Sequence, residues 1–345
     1  MRGVFLCAAL VVAGAGSPER LALQPPAHRV IIDTDFALPP QDDGLALALA
    51  LNSPELAIAG VTTVAGNYNL ARANADLLRM LEIAGRTDIR VYAGAARPMA
   101  HTVDDYARTH YGRWWSDDPA PAPPGGFAKI AVQNEAAADF IARTVVSAPG
   151  EIEILALGPL TNVAAAIRRQ PAVAAAIRRI TIMGGAIAAL PDGGGNATPN
   201  AEFNFWVDPE AARIVLRSGI PVTLSPLNVS RKTAFERSAF DAIAASRTPI
   251  AQLVESQMRP RFARDPGFHP HMYDEVAAAS LVDPTLVKTR RMIVDVDDSR
   301  GIDYGASIGG DSPWPGSEGA RAVDVQYDID NARFMRLFGE RLSRK

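Results

Sequence analysis

Short apolar runs alternate with amphipathic stretches along most of the chain. The first clear run, Val30-Ile31-Ile32, ends in Asp33-Thr34-Asp35. It predicts a buried strand that delivers carboxylates at its C-terminal end. Asp42-Asp43 then opens a helix over GLALALALN, with acids in the first turn, where the helix dipole favours them. The pattern continues with a strand over 58–64, a helix over 70–84 and a strand over 89–92. Beyond a Pro-rich run, WWSDDPAPAPPGG at 114–126, come a helix over 135–146, a strand over 152–157 and a helix over 162–169. A strand over 180–183 ends in Gly184-Gly185, and a helix over 209–218 leads to a strand over 222–225. Residues 231–264 read as mostly helical; strands near 292–296 and 323–327 and a helix over 329–342 close the pattern. This alternation predicts an α/β fold, an open, mainly parallel central β-sheet with helices on both faces. The Pro-rich run reads as a surface excursion or lid, because strands and helices resume on both sides of it.

Composition narrows the function. The chain has 345 residues, 48% hydrophobic and 21% charged, which is globular. Lys and Arg total 35 against 38 acids, a net charge of −3, so nothing drives binding to a nucleic-acid backbone. A single cysteine excludes an intramolecular disulfide and a Cys-rich zinc site. Met1-Arg2 and the apolar run GVFLCAALVVAGA precede an Ala13-x-Ala15 cleavage pattern. Residues 1–16 therefore read as a cleaved signal peptide, too short for a membrane anchor, and predict an exported protein, periplasmic or secreted. Residues 28–345 read as one domain.

The unusual polar residues sit where such sheets bind ligands, beyond the carboxyl ends of the strands. Asp33, Asp35, Asp42 and Asp43 fall within eleven residues around one strand-to-helix turn. Carboxylates packed there raise one another's pKa unless a cation offsets them, and an all-oxygen set selects a hard ion, Ca²⁺ or Mg²⁺. For Asp42-Asp43 alone, solvated acids at a helix start are the better reading. Two more clusters shift the balance: the loop 195–204, GNATPNAEFN, and Met272-Tyr273-Asp274-Glu275 at a later helix start. An Asn-x5-Glu-x-Asn set beside a metal is a kit for gripping sugar hydroxyls.

These residues carry a resemblance. DTD…DDGLALAL at 33–49, VTTVAGN at 61–67, ALGPLTN at 156–162, IMGGA at 182–186, NATPNAEFNFWVDPEAA at 196–212 and MYDEVAAA at 272–279 occur in order. Together they resemble the inosine-uridine preferring nucleoside hydrolases over nearly the whole chain beyond residue 28. The resemblance implies hydrolysis of ribonucleosides to ribose and free base, a small-molecule substrate, and a homo-oligomer, dimer or tetramer. It implies a Ca²⁺ ion bound by Asp35, Asp43, the Leu157 carbonyl and Asp274, orienting the sugar and acidifying the attacking water. Asp35 matches the general base, and Asn67 matches a residue orienting ribose and water. Asp42 matches a 2′-hydroxyl acceptor, Asn204 a 3′-hydroxyl contact, and Asn196 with Glu202 the 5′-hydroxyl pocket. Met183 matches a sugar-pocket residue, although its place at a strand end suits plain core equally. Phe203, Phe205 and Trp206 suit either the substrate or packing. Asn162 reads as a helix cap, and Asp208 before Pro209 as an N-cap.

The chain departs from the family pattern at two places. Six residues, FALPPQ, separate Asp35 from Asp42, where the best-known members have a shorter turn. Tyr273 stands where a His precedes the late Asp, and a phenol with a pKa of about 10 is a poor acid at neutral pH. His269 and His271 could substitute, or form half a zinc site if on a strand; a surface or pocket-rim role is the preferred reading. A haloacid-dehalogenase-like phosphohydrolase also begins with a strand and D-x-D, but that pattern has no DD pair. An exported, non-catalytic nucleoside- or sugar-binding protein on the same fold is the second rival.

Overall fold

The computed structural model describes residues 28–39 and 41–344, so the expected signal peptide lies outside the described residues. Among the described residues nine strands form one sheet: β1 (His28–Thr34), β2 (Leu56–Thr63), β3 (Val91–Ala93), β4 (Ile152–Ala156), β5 (Arg179–Met183), β6 (Val222–Ser225), β7 (Val287–Val296), β8 (Ser307–Gly310) and β9 (Arg321–Ile329). Their order is β3-β2-β1-β4-β5-β6-β9-β7-β8. The pairs from β3 to β9 are parallel, whereas β7 runs antiparallel to β9 and β8. Strand order reverses between β1 and β4, which makes their carboxyl ends the switch point where α/β sheets bind ligands.

The apolar runs are continuous because helices cover both faces of the sheet. Val30 and Ile32 pack in one core with Val61 and Leu155, while Ile31 packs in the other with Ile154, Ile180 and Leu224. This follows the two-residue repeat of a strand. Helices Asp42–Leu51, Leu70–Ile83 and Asp274–Val282 supply the first face; Ala137–Ser147, Thr161–Arg169 and Pro209–Arg217 supply the second. Helices Asp42–Leu51 and Asp274–Val282 also pack against each other and are buried along nearly their whole length. That explains their Ala- and Leu-rich, unstriped sequences.

Several local expectations change. The strand expected over 89–92 is only Val91–Ala93. β8, helix Asp105–His110 and helix Phe203–Val207 had no clear pattern, being short and cut by glycine or aromatic residues. Asn162 is not a cap: Leu160 holds that place, and the Asn162 side chain turns back toward β1 and β2. Asp208 does cap its helix, accepting the Ala211 N–H at 3.1 Å. His269 and His271 are exposed and lie on no strand, and each imidazole meets a loop carbonyl, Gly267 and Thr233 respectively. No described helix is long and apolar enough to cross a membrane.

Ile154, on a central strand and fully buried, tests this core. Ile154→Ala is expected to lower unfolding free energy by about 2–5 kcal/mol in urea denaturation. A loss below about 1 kcal/mol would mean the sheet is not packed on that face as described.

Candidate active site

β1 carries Asp33 and Thr34 to its end and turns out at Asp35; β4 ends one residue before Leu157, whose N–H continues the ladder to the Asp33 carbonyl at 2.7 Å. The two buried helices start on this edge, so Asp42, Asp43 and Asp274 meet there. Their carboxylate oxygens lie within 4.8 Å of one another. A cavity of about 290 Å³ opens over them, lined by Asp35, Gln41, Asp42, Asn67, Tyr111, Leu157, Met183, Asn196, Glu202, Phe203, Asn204, Tyr273 and Asp274. Every substrate and metal residue expected from the sequence is in that lining except Asp43. Asp43 sits behind it, fully buried, accepting from the Thr34 hydroxyl and from Asn67 Nδ2 at 2.8 Å.

Asn67 serves both acids, since its backbone N–H also donates to Asp35 Oδ2 at 2.6 Å. Two glycines permit this crowding. A Cβ on Gly66 would stand 2.2 Å from Asp35 Oδ2, and one on Gly158 would stand 2.7 Å from Asp35 Oδ1. On the opposite wall, Glu202 accepts three backbone N–H groups, from Gly185 (2.9 Å), Asn204 (2.8 Å) and Phe205 (3.1 Å). It thereby caps helix Phe203–Val207. Asn204 Nδ2 donates to the Leu157 carbonyl at 3.0 Å and the Met183 carbonyl at 3.3 Å, and Asn196 Oδ1 accepts the Phe203 N–H at 2.9 Å. Phe205 and Trp206 pack in the cores instead. Gln41 and Tyr111 were not anticipated. Gln41 is a neutral residue in the stretched turn, and Tyr111 follows a six-residue helix with no periodicity to mark it.

The electrostatics are lopsided. Burial pushes Asp35 up to about 8, with the charges of Asp42 and Glu202 acting the same way. Burial raises Asp42, and lifts Asp43 and Asp274 well above the carboxylate range, helped by the neighbouring aspartates. Burial pushes Glu202 and Asp33 to about 6. No Lys or Arg is among the residues lining the cavity. An all-oxygen acidic set without a side-chain cation suits a hard divalent metal ion. The unpaired buried oxygen of the neighbouring Glu275 adds to the deficit of positive charge.

Residues 30–336 match the inosine-uridine preferring nucleoside hydrolase family. The chain belongs to this family. A pyrimidine-specific ribonucleoside hydrolase, RihA, of Citrobacter koseri is 34% identical over 319 residues, 91% of this chain and 97% of the relative. The structure of a plant nucleoside hydrolase, PpNRh1, superposes with a TM-score of 0.79 at 28% identity, covering 93% of this chain and all of that one. A purine-preferring ribonucleoside hydrolase from Gardnerella vaginalis gives 0.75 at 27% identity, over 91% and 98% of the two chains. As a nucleoside hydrolase the chain is an N-glycosyl hydrolase acting on small-molecule nucleosides.

The raised carboxyl groups predict a pH dependence. Each binds its proton more tightly in the native state than in the unfolded chain, so its stabilisation is full below the unfolded pKa and fades as pH rises through the folded value. With Asp33 and Glu202 near 6 and Asp35 near 8, protein stripped of divalent metal should lose thermal stability progressively from about pH 4 to pH 8. A Tm that stays level or climbs across that range would contradict the charge deficit.

Proposed function

We propose that this nucleoside hydrolase is an exported, calcium-dependent enzyme that converts ribonucleosides to ribose and free base. The observation that carries the reading is the joining of two chemistries in one cavity: the acids Asp35, Asp42 and Asp274 on one wall, with Asp43 directly behind them, and Glu202, Asn204 and Asn196 on the other. The first suits a hard cation and water activation, and the second suits sugar hydroxyls. Export rests on the N-terminal apolar run alone.

Asp35, Asp43, Asp274 and the Leu157 carbonyl would hold Ca²⁺, with Asp42 beside it; when bound, the ion supplies Lewis acidity toward water and ribose hydroxyls. The chain's own residues do the rest. Asp42 accepts the 2′-hydroxyl, Asn204 contacts the 3′-hydroxyl, and Asn196 and Glu202 face the 5′-hydroxyl. Phe203 and Met183 shape the wall around the sugar. Asn67 holds Asp35 and Asp43 in register, so one carboxylate faces the attacking water. The bond from C1′ to the base nitrogen breaks with its electron pair going to the base. Water oxygen bonds to C1′, its proton passes to Asp35, and the base, released as its anion, takes up a proton from solvent to give the free base. The buried carboxylates also favour the oxocarbenium character that develops on the sugar. Tyr273, raised by burial and by Asp42, stays a neutral phenol and serves the departing base as a hydrogen-bond donor, without giving up its proton.

The test is reducing-sugar release from uridine, cytidine, inosine and adenosine, with and without a calcium chelator. Calcium-dependent release is expected, and tight nucleoside binding without turnover would favour the binding-protein reading. Asp35→Asn should keep the fold and lower kcat by about 10²–10⁴-fold; near-normal turnover would remove Asp35 as the proton acceptor. Asn204→Ala should reduce kcat/KM about 10- to 100-fold, and an unchanged value would remove the 3′-hydroxyl contact.

A further inference from the structure

We infer that Thr161 and Asn162, neighbours at the start of one helix and both outside the cavity, are positioning residues that each set one wall of the active site. The inference rests on the roles proposed above for Asp35 and Asn204.

The turn from β4 into helix Thr161–Arg169 first presents the Leu157 carbonyl to the cavity and then buries these two side chains. Asn162 reaches toward the acidic wall. Its Nδ2 donates to Asp33 Oδ1 at 2.8 Å and to the Thr63 carbonyl at 2.9 Å, and its Oδ1 accepts the Ala95 N–H at 2.9 Å. One amide thus ties the ends of β1 and β2 to the turn after β3. The approach is close: a Cβ on Gly94 would stand 2.1 Å from Asn162 Oδ1. The Ala95 carbonyl in turn accepts the Ala65 N–H at 2.9 Å, two residues before Asn67, which holds Asp35 and Asp43. Shifting Asn162 therefore shifts the frame of Asp35 without removing any group that touches substrate.

Thr161 reaches the other way. Its hydroxyl donates to Asp208 Oδ2 at 2.6 Å. Asp208 also accepts the Met99 N–H at 3.0 Å and caps the following helix at Ala211. It terminates helix Phe203–Val207, which carries Asn204 and Phe203 into the cavity. Fully buried, with its charge held by hydrogen bonds alone, Asp208 is a fixed post for the sugar-binding wall.

The arrangement predicts opposite kinetic signatures from adjacent residues. With uridine, or the best substrate of the panel, Asn162→Ala should lower kcat about 10- to 100-fold while KM moves less than about threefold, as expected when reacting groups are misplaced by an ångström or less. Thr161→Val should raise KM about 5- to 10-fold with kcat within about threefold, the scale of one ordinary buried hydrogen bond. Thr161→Ser, which keeps the hydroxyl, should restore KM. Asn162→Asp is the second variant should Asn162→Ala not fold; it keeps the acceptor for Ala95, loses both donors, and should again depress kcat selectively. Parallel changes in kcat and KM for both residues, or Thr161→Ser behaving like Thr161→Val, would overturn the inference. Amide hydrogen exchange gives a readout independent of turnover. Exchange should rise at 64–67 and 95–96 only in Asn162→Ala, and at 99–100 and 208–211 only in Thr161→Val; the same rise in both would overturn the inference even if no nucleoside is cleaved. Failure of the functional reading shows separately, as absence of ribose release by the unaltered enzyme.

Discussion

Four acidic side chains line the cavity at one end of the sheet, with Asp43 buried behind them and no side-chain cation in the lining, and the surrounding structure answers that repulsion. Dehydration and mutual charge lift Asp35, Asp43 and Asp274 far from their ordinary range. Two helices begin there, Asp42–Leu51 and Asp274–Val282, so the positive ends of their dipoles face the acids. Thr34 and Asn67 add donors. These groups hold the acids in place but do not neutralise them, which is why the arrangement suits a divalent ion.

Bringing those helix starts together has consequences through the fold. Both helices must be buried between the sheet and their neighbours, which removes any polar stripe from their sequences. Side chains are also absent where backbone passes Asp35, at Gly66 and Gly158. The opposite wall is built on a different principle. Glu202 is satisfied by three backbone N–H groups, so its burial is offset locally and it shifts less than Asp35. One wall is left wanting charge, and the other has its buried carboxylate satisfied by backbone N–H groups. That asymmetry distinguishes the two walls.

Both walls hang on the switch point of the sheet. The end of β1 supplies Asp33 and Asp35, and the turn after β4 supplies Leu157 together with the Thr161-Asn162 pair that reaches each wall. A parallel sheet is rigid along its strands, so the two walls share one frame.

Much of this was legible in the chain. The parallel strands, most of the helices and the acids at strand and helix starts follow from local hydrophobic period and from polar residues placed where a strand must end. The motifs in order identified the family, and through it the residues of the cavity. What stayed hidden has no local signature. β8 is four residues long and pairs only with β7; Tyr111 enters the cavity from a segment without periodicity. Asn162 looks like a helix cap in sequence, yet its partners, Asp33, Thr63 and Ala95, lie on three other segments. The sequence by itself determined which residues are buried, which are chemical, and the order in which they arrive. Only the tertiary structure decided which carboxylates share a dehydrated space and which neutral side chains fix them there. Repulsion and hydrogen bonding act over a few ångströms in space, whereas Asn162 and the Asp33 it holds are 129 residues apart along the chain.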